Sequence, residues 1–135
     1  MEQEMLVQAY FWVALGSALG GMARFWLTGV GARLFGETFP WGTLLINIIG
    51  SFVIGLFVAM TVPEGRFVVE PDFRAFVTVG LCGGFTTFSA FSLQTMVLMQ
   101  EGQWLAAGGY IAASVLLCLL AVWAGYAIAM QLNPL

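Results

Sequence analysis

The chain reads as an all-α membrane protein of four transmembrane helices, the third of them broken in mid-membrane, and three observations predict it. First, of its 135 residues 61% are hydrophobic and 8% charged, whereas a soluble domain carries about a quarter charged residues. Second, the charges leave four uncharged runs, 5–23, 38–63, 75–100 and 102–135, each as long as the roughly 17–25 residues that a hydrocarbon core requires. Third, inside the third run Gly83 and Gly84 precede Thr86, Thr87 and Ser89, which alternate with Phe85, Phe88 and Phe91. Irregular, polar backbone persists at membrane depth only where it is buried in protein or lines a cavity or ion site. A pore or an ion site is therefore expected there.

The first span is placed at about residues 8–28, with Arg24 in its last turns. The N-terminus lacks the basic n-region and cleavage site of a secretory signal, so this span stays in the mature protein. Gly29, Gly31 and Gly36 then mark a loop that closes at Pro40, and Trp41 reads as an interfacial anchor. The second span covers about 42–62 and stops at Pro63. The loop from Pro63 to Pro71 is the most charged, and Asp72 reads as the N-cap of the third span. That span covers about 73–99, with its interruption at Gly83-Gly84. The fourth runs from about 104 to 131 and ends before Pro134.

No linker, repeat or low-complexity tract divides the chain, so residues 1–135 read as a single transmembrane domain. Four helices of this size leave little room to enclose a pathway, which points to a homo-oligomer with function at the interface. Gly16-x-x-x-Gly20 and Ser17-x-x-x-Gly21 give the first span a small-residue face for close packing. Arg66 and Arg74 fall on one side of the membrane, Arg24 and Arg33 on the other, and there is no lysine. Orientation follows the Lys/Arg bias of short loops. An even balance fits a protein that inserts both ways and pairs antiparallel.

Polar residues within the spans align. Asn47 and Ser51 share a face of the second span, with Thr43 one turn earlier; Tyr110, Ser114 and Cys118 form an i, i+4, i+8 line on the fourth. Phe88 and Phe91 are three apart on the third, Ser92 and Thr95 continue near that face, and Gln94 is adjacent. Taken singly, Thr43, Ser51 and Thr95 read as interhelical hydrogen bonds worth ~0.6–2 kcal/mol each. Asn47 reads as functional, because an amide offers two uncharged donors to a transient anion. Ring edges are electropositive, so Phe88 and Phe91 can favour a small anion without a fixed charge. Conduction needs such weak, successive sites. At the break, freed carbonyls with the oxygens of Thr86 and Thr87 are expected to form a cage for a small hard cation such as Na+.

Other function classes fare poorly. There is no histidine and no acidic residue within a span, so the hydroxyls have no base to activate them, and an enzyme is not expected. Cys82 and Cys118 lack partners for a zinc site and read as small core residues. Without a basic stripe, nucleic acid is not an expected partner. The main alternative is a small dual-topology secondary transporter of the multidrug type, which would need an intramembrane carboxylate to exchange protons.

Segments 16–25 (GSALGGMARF), 41–52 (WGTLLINIIGSF) and 80–91 (GLCGGFTTFSAF) closely resemble, in order, three signatures of the Fluc (CrcB) fluoride channels. The residues themselves admit any small anion and either a channel or a carrier; the resemblance alone names fluoride. It implies an antiparallel, dual-topology homodimer in the plasma membrane, with two pores that export fluoride passively and limit its toxicity. It also implies a central structural Na+ held by the carbonyls of Gly83 and Thr86 from each subunit. The fluoride pathway it implies includes Asn47, Phe88, Phe91, Ser114, Tyr110 and Gln94, with Arg24 near the vestibule. Four positions depart from the family pattern: Phe25 stands where Tyr is common, Ala90 where Thr or Ser is, Gln94 where Glu is, and Cys118 where Ser often occurs.

Overall fold

The computed structural model describes residues 1–133. Among them the regular structure is entirely helical, and four helical stretches are long and apolar enough to span a membrane. These are α1 (Glu2–Phe35), α2 (Trp41–Met60), a composite third span (Pro71–Gln100) and α6 (Trp104–Leu132). The third span consists of α3 (Pro71–Ala75), a π-helical stretch (Phe76–Cys82), α4 (Gly83–Phe85) and α5 (Phe88–Gln100). Pro134, invoked above as the stop of the fourth span, lies outside the described residues; α6 itself ends at Leu132.

Three boundaries differ from the expectation. α1 begins at Glu2 and passes through Gly29 and Gly31 to Phe35, so the connection to α2 is only residues 36–40. Gly31 is buried, and a Cβ there would sit 2.8 Å from the Cα of Gly42, so it serves helix packing rather than a turn. The turn belongs to Gly36, whose φ of 78° is the left-handed conformation that glycine adopts without strain. At the third span, Glu70 rather than Asp72 is the N-cap. Pro71 takes the first helical position, where its missing N–H costs nothing, and Asp72 falls in the first turn.

Two seams hold the bundle together. Gly16 and Gly20 of α1 are buried against the backbone of the third span: a Cβ on Gly16 would lie 2.5 Å from the Phe76 carbonyl oxygen, and one on Gly20 would run into that of Leu81. The small-residue motif is thus spent inside the chain, since backbones in lipid gain by close approach where no hydrophobic force separates helix from acyl chain. Gly21, the other member of that face, meets nothing within 4 Å. The second seam joins α2 to α6, where Gly55 faces the Val122 carbonyl and Gly125 the Phe52 carbonyl. Toward one end Leu44, Phe91, Leu98, Ala107 and Tyr110 form the apolar core.

Two arginines close the other end by donating to helix-terminal carbonyls. Arg74 Nη1 reaches the carbonyl oxygen and hydroxyl of Thr61, just past α2, at 2.8 and 2.7 Å. Arg66 Nη1 donates to the Leu132 carbonyl at the end of α6, at 3.1 Å. Both cations complement the negative ends of helix dipoles.

Candidate functional site

The break in the third span falls at Thr86-Thr87, three residues beyond the glycine pair expected to cause it. Gly83 is α-helical (φ −64°, ψ −37°), whereas Thr86 (−82°, 157°) and Thr87 (−151°, 119°) are extended. Gly84 has a packing role: a Cβ on it would stand 2.7 Å from the carbonyl oxygen of Ser17 on α1. The break is stabilised by groups that replace the lost helical bonds. Asn47 pairs its amide with the Thr87 backbone, Oδ1 accepting from Thr87 N at 2.8 Å and Nδ2 donating to the Thr87 carbonyl at 3.1 Å. Thr87 Oγ1 in turn accepts from Ala90 N at 3.1 Å, an N-cap for α5.

These two substitutions free particular carbonyls. In a continuous helix the Gly83 carbonyl would accept from Thr87 N, and that of Thr86 from Ala90 N. Both donors are engaged elsewhere, by Asn47 and by the Thr87 hydroxyl. Gly83 is exposed and Thr86 half-buried, and both border the same groove. Among the described residues no three His, Cys, Asp or Glu side chains gather, so donors suited to a hard cation are these carbonyls. The residues fit a Na+ site of the carbonyl type.

Beside the break lies a groove of about 440 Å³ whose lining holds no charged side chain. Asn47, Ser51, Phe88, Phe91, Ser114 and Cys118 meet there. Asn47 has one amide hydrogen left, since the other is spent on Thr87. Ser114, only 8% exposed, has a buried hydroxyl oxygen with no protein partner. A buried hydroxyl left unpaired costs ~1–3 kcal/mol, which a ligand accepting its proton would recover. Phe88 and Phe91 stand with ring centroids 5.3 Å apart, but Phe91 is in the core whereas Phe88 is 78% exposed.

Three other candidates lie outside this lining. Tyr110 is fully buried behind Phe91, the ring centroids 5.0 Å apart, and its hydroxyl donates to Gln94 Oε1 at 2.8 Å. Gln94 Nε2 donates to Thr43 Oγ1 at 2.9 Å, so a neutral chain Tyr110–Gln94–Thr43 links α6, α5 and α2. Arg24 lies across the break on α1, and its Nε donates to the Gly84 carbonyl at 3.1 Å. Ser92 and Thr95 donate to the Phe88 and Phe91 carbonyls of their own helix, and so offer no proton to the groove. The residue that sequence reasoning undervalued is Thr87. Its place three residues before Ala90, at the start of a helical run, was the available N-cap signal.

Comparison with known proteins places the chain in a family. A family model described as CrcB-like protein, Camphor Resistance (CrcB), matches residues 11–126. A protein of Methylocella silvestris named fluoride-specific ion channel FluC is 59% identical over 126 residues, covering 93% of this chain and 96% of that protein. Proteins of the same name from Opitutus terrae and Paramagnetospirillum magneticum are 54% and 56% identical, over 93% and 92% of this chain and 96% and 97% of theirs. With four membrane-spanning helices, a third span broken at Thr86-Thr87 and this match over most of its length, the chain belongs to the CrcB family.

Proposed function

We propose that the chain is a fluoride-selective channel subunit, which lets fluoride leave the cell passively across the plasma membrane and so limits its toxicity. The observation that carries this reading is the uncharged groove in which the buried, unpartnered Ser114 hydroxyl and the spare Asn47 N–H converge beside two phenylalanines. A small, strongly hydrated anion needs donors to replace its water. A fixed cation would hold it too tightly, whereas single donors and ring edges allow it to enter and leave. The names of the relatives point to fluoride. The spans carry no carboxylate in this groove for proton exchange, so a proton-coupled carrier has no support.

The working unit in this reading is an antiparallel homodimer. One chain leaves Phe88 exposed at the groove and does not enclose the path, which a second copy would complete with its own groove as a second pore. The carbonyls of Gly83 and Thr86 from both copies would then hold a central Na+, whose chemistry is to neutralise the converging oxygens and lock the two breaks together. Tyr110, Gln94 and Thr43 would brace the pore wall from behind.

The test is ion flux from liposomes containing the purified protein. Fluoride is expected to leave electrogenically, without a proton gradient, and chloride to be nearly excluded. A flux that required a proton gradient, or equal rates for the two halides, would overturn the reading. The pairing has its own test. A cysteine replacing the exposed Glu37, with Cys82→Ala and Cys118→Ser, is expected to react with an impermeant thiol reagent outside intact cells in about half the molecules, as equal populations of two orientations require. Uniform labelling or uniform protection would rule out the antiparallel pair.

A further inference from the structure

We propose that Arg24 is a positioning residue that clamps the break in the third span by standing in for the backbone donor lost by Gly84. The Gly84 carbonyl would accept from Phe88 N in a continuous helix. The extended dihedrals of Thr86 and Thr87 carry that N–H away, and the half-buried Arg24 offers Nε to the same oxygen at 3.1 Å, across sixty residues of sequence. The contact is one of three along one face of α1. Ser17 meets Gly84, Gly20 meets Leu81 and the Phe85 amide nitrogen, and Arg24 caps Gly84, a spacing of three and seven residues that shares a helix face.

The consequence is selective. Thr87 gives its carbonyl to Asn47 and Gly84 gives its own to Arg24, whereas no side chain replaces the helical donors of the Gly83, Phe85 and Thr86 carbonyls. Arg24 and Asn47 therefore grip the break from α1 and α2, and take the Gly84 and Thr87 oxygens out of the set left for a cation. An arginine suits this position because its Nε–H is directed by a planar group, which leaves the terminal nitrogens free to face water or an anion. The selectivity rests on the carbonyl-cage reading above, whereas the clamp itself does not.

The experiment compares the parent protein with Arg24→Met and Arg24→Lys by two readouts, hydrogen exchange across residues 83–91 and melting temperature during titration of NaCl against a large organic cation. Loss of a charge-assisted hydrogen bond at the break is expected to speed exchange at residues 86–90 by roughly tenfold in Arg24→Met, and to raise the Na+ midpoint by a similar factor. Arg24→Lys, which keeps a charged N–H donor of comparable reach, is expected to return both toward the parent. Parent-like exchange in Arg24→Met, with only the fluoride flux reduced, would show that Arg24 acts as a vestibule charge and overturn the clamp. If the parent melts identically with and without Na+, the cage reading fails by itself, and exchange at residues 86–90 still decides the role of Arg24. Should Arg24→Met not fold, Arg24→Gln, which keeps an N–H on a shorter arm, is scored by the same exchange criterion.

Discussion

Asn47→Asp is expected to lower fluoride flux at neutral pH by roughly a hundredfold. In the parent the amide does two things at once: Oδ1 and one Nδ2 hydrogen bind the Thr87 backbone, and the other hydrogen is left for the groove. A carboxylate keeps only the acceptor. It sets a negative oxygen against the Thr87 carbonyl where a donor stood at 3.1 Å, and it repels an anion in the groove. The lost donor and the unpaired carbonyl together account for ~2–3 kcal/mol, a fall in flux of roughly a hundredfold. Liposome flux at neutral pH is the measurement. Parent-like flux at neutral pH would remove Asn47 from the pathway.

Gly20→Val is expected to prevent the protein from folding, and Gly29→Ala, nine residues along the same helix, to leave it intact. A Cβ on Gly20 collides with the Leu81 carbonyl oxygen and would stand 2.8 Å from the Phe85 amide nitrogen; both are backbone atoms that cannot turn aside. Overpacking of this kind costs ~1–3 kcal/mol even where side chains yield. Here α1 must move off the third span, and the Ser17–Gly84 contact and the Arg24 hydrogen bond go with it. Gly29 meets no atom within 4 Å, so alanine there only gains helix propensity, ~1 kcal/mol. Size-exclusion profiles and melting curves of the two purified variants separate the outcomes. A Gly20→Val protein that melts with the parent would show that the α1 seam is not close-packed in the membrane.

The number and approximate limits of the spans were legible because they depend on local quantities. A run of apolar residues long enough to cross hydrocarbon is stable there whatever it packs against. The groove positions Asn47, Phe88, Phe91 and Ser114 were legible for a related reason: helical spacing predicts a shared face, and the groove brings these four together. Spacing does not say what lies behind a face. Tyr110 is in line with Ser114 on α6, yet it is fully buried and its hydroxyl is spent on Gln94. Ser92 and Thr95 share the face of Phe88, yet their protons return to their own helix.

Sequence alone determined that this is a four-span membrane protein with a polar interruption in its third span, because bilayer insertion and helix periodicity are properties of contiguous residues. Only the tertiary structure decided where that interruption lies and what it exposes. Gly83 is compatible with a helix and stays in one; the chain departs at Thr86-Thr87 because Asn47, forty residues earlier, supplies both partners that the Thr87 backbone needs. Close-packing glycines and hinge glycines look alike in a sequence, and they separate only when another helix comes within reach, as α1 does at Gly84. Which carbonyls of the break are engaged follows in part from which distant side chains arrive there, Arg24 at Gly84 and Asn47 at Thr87.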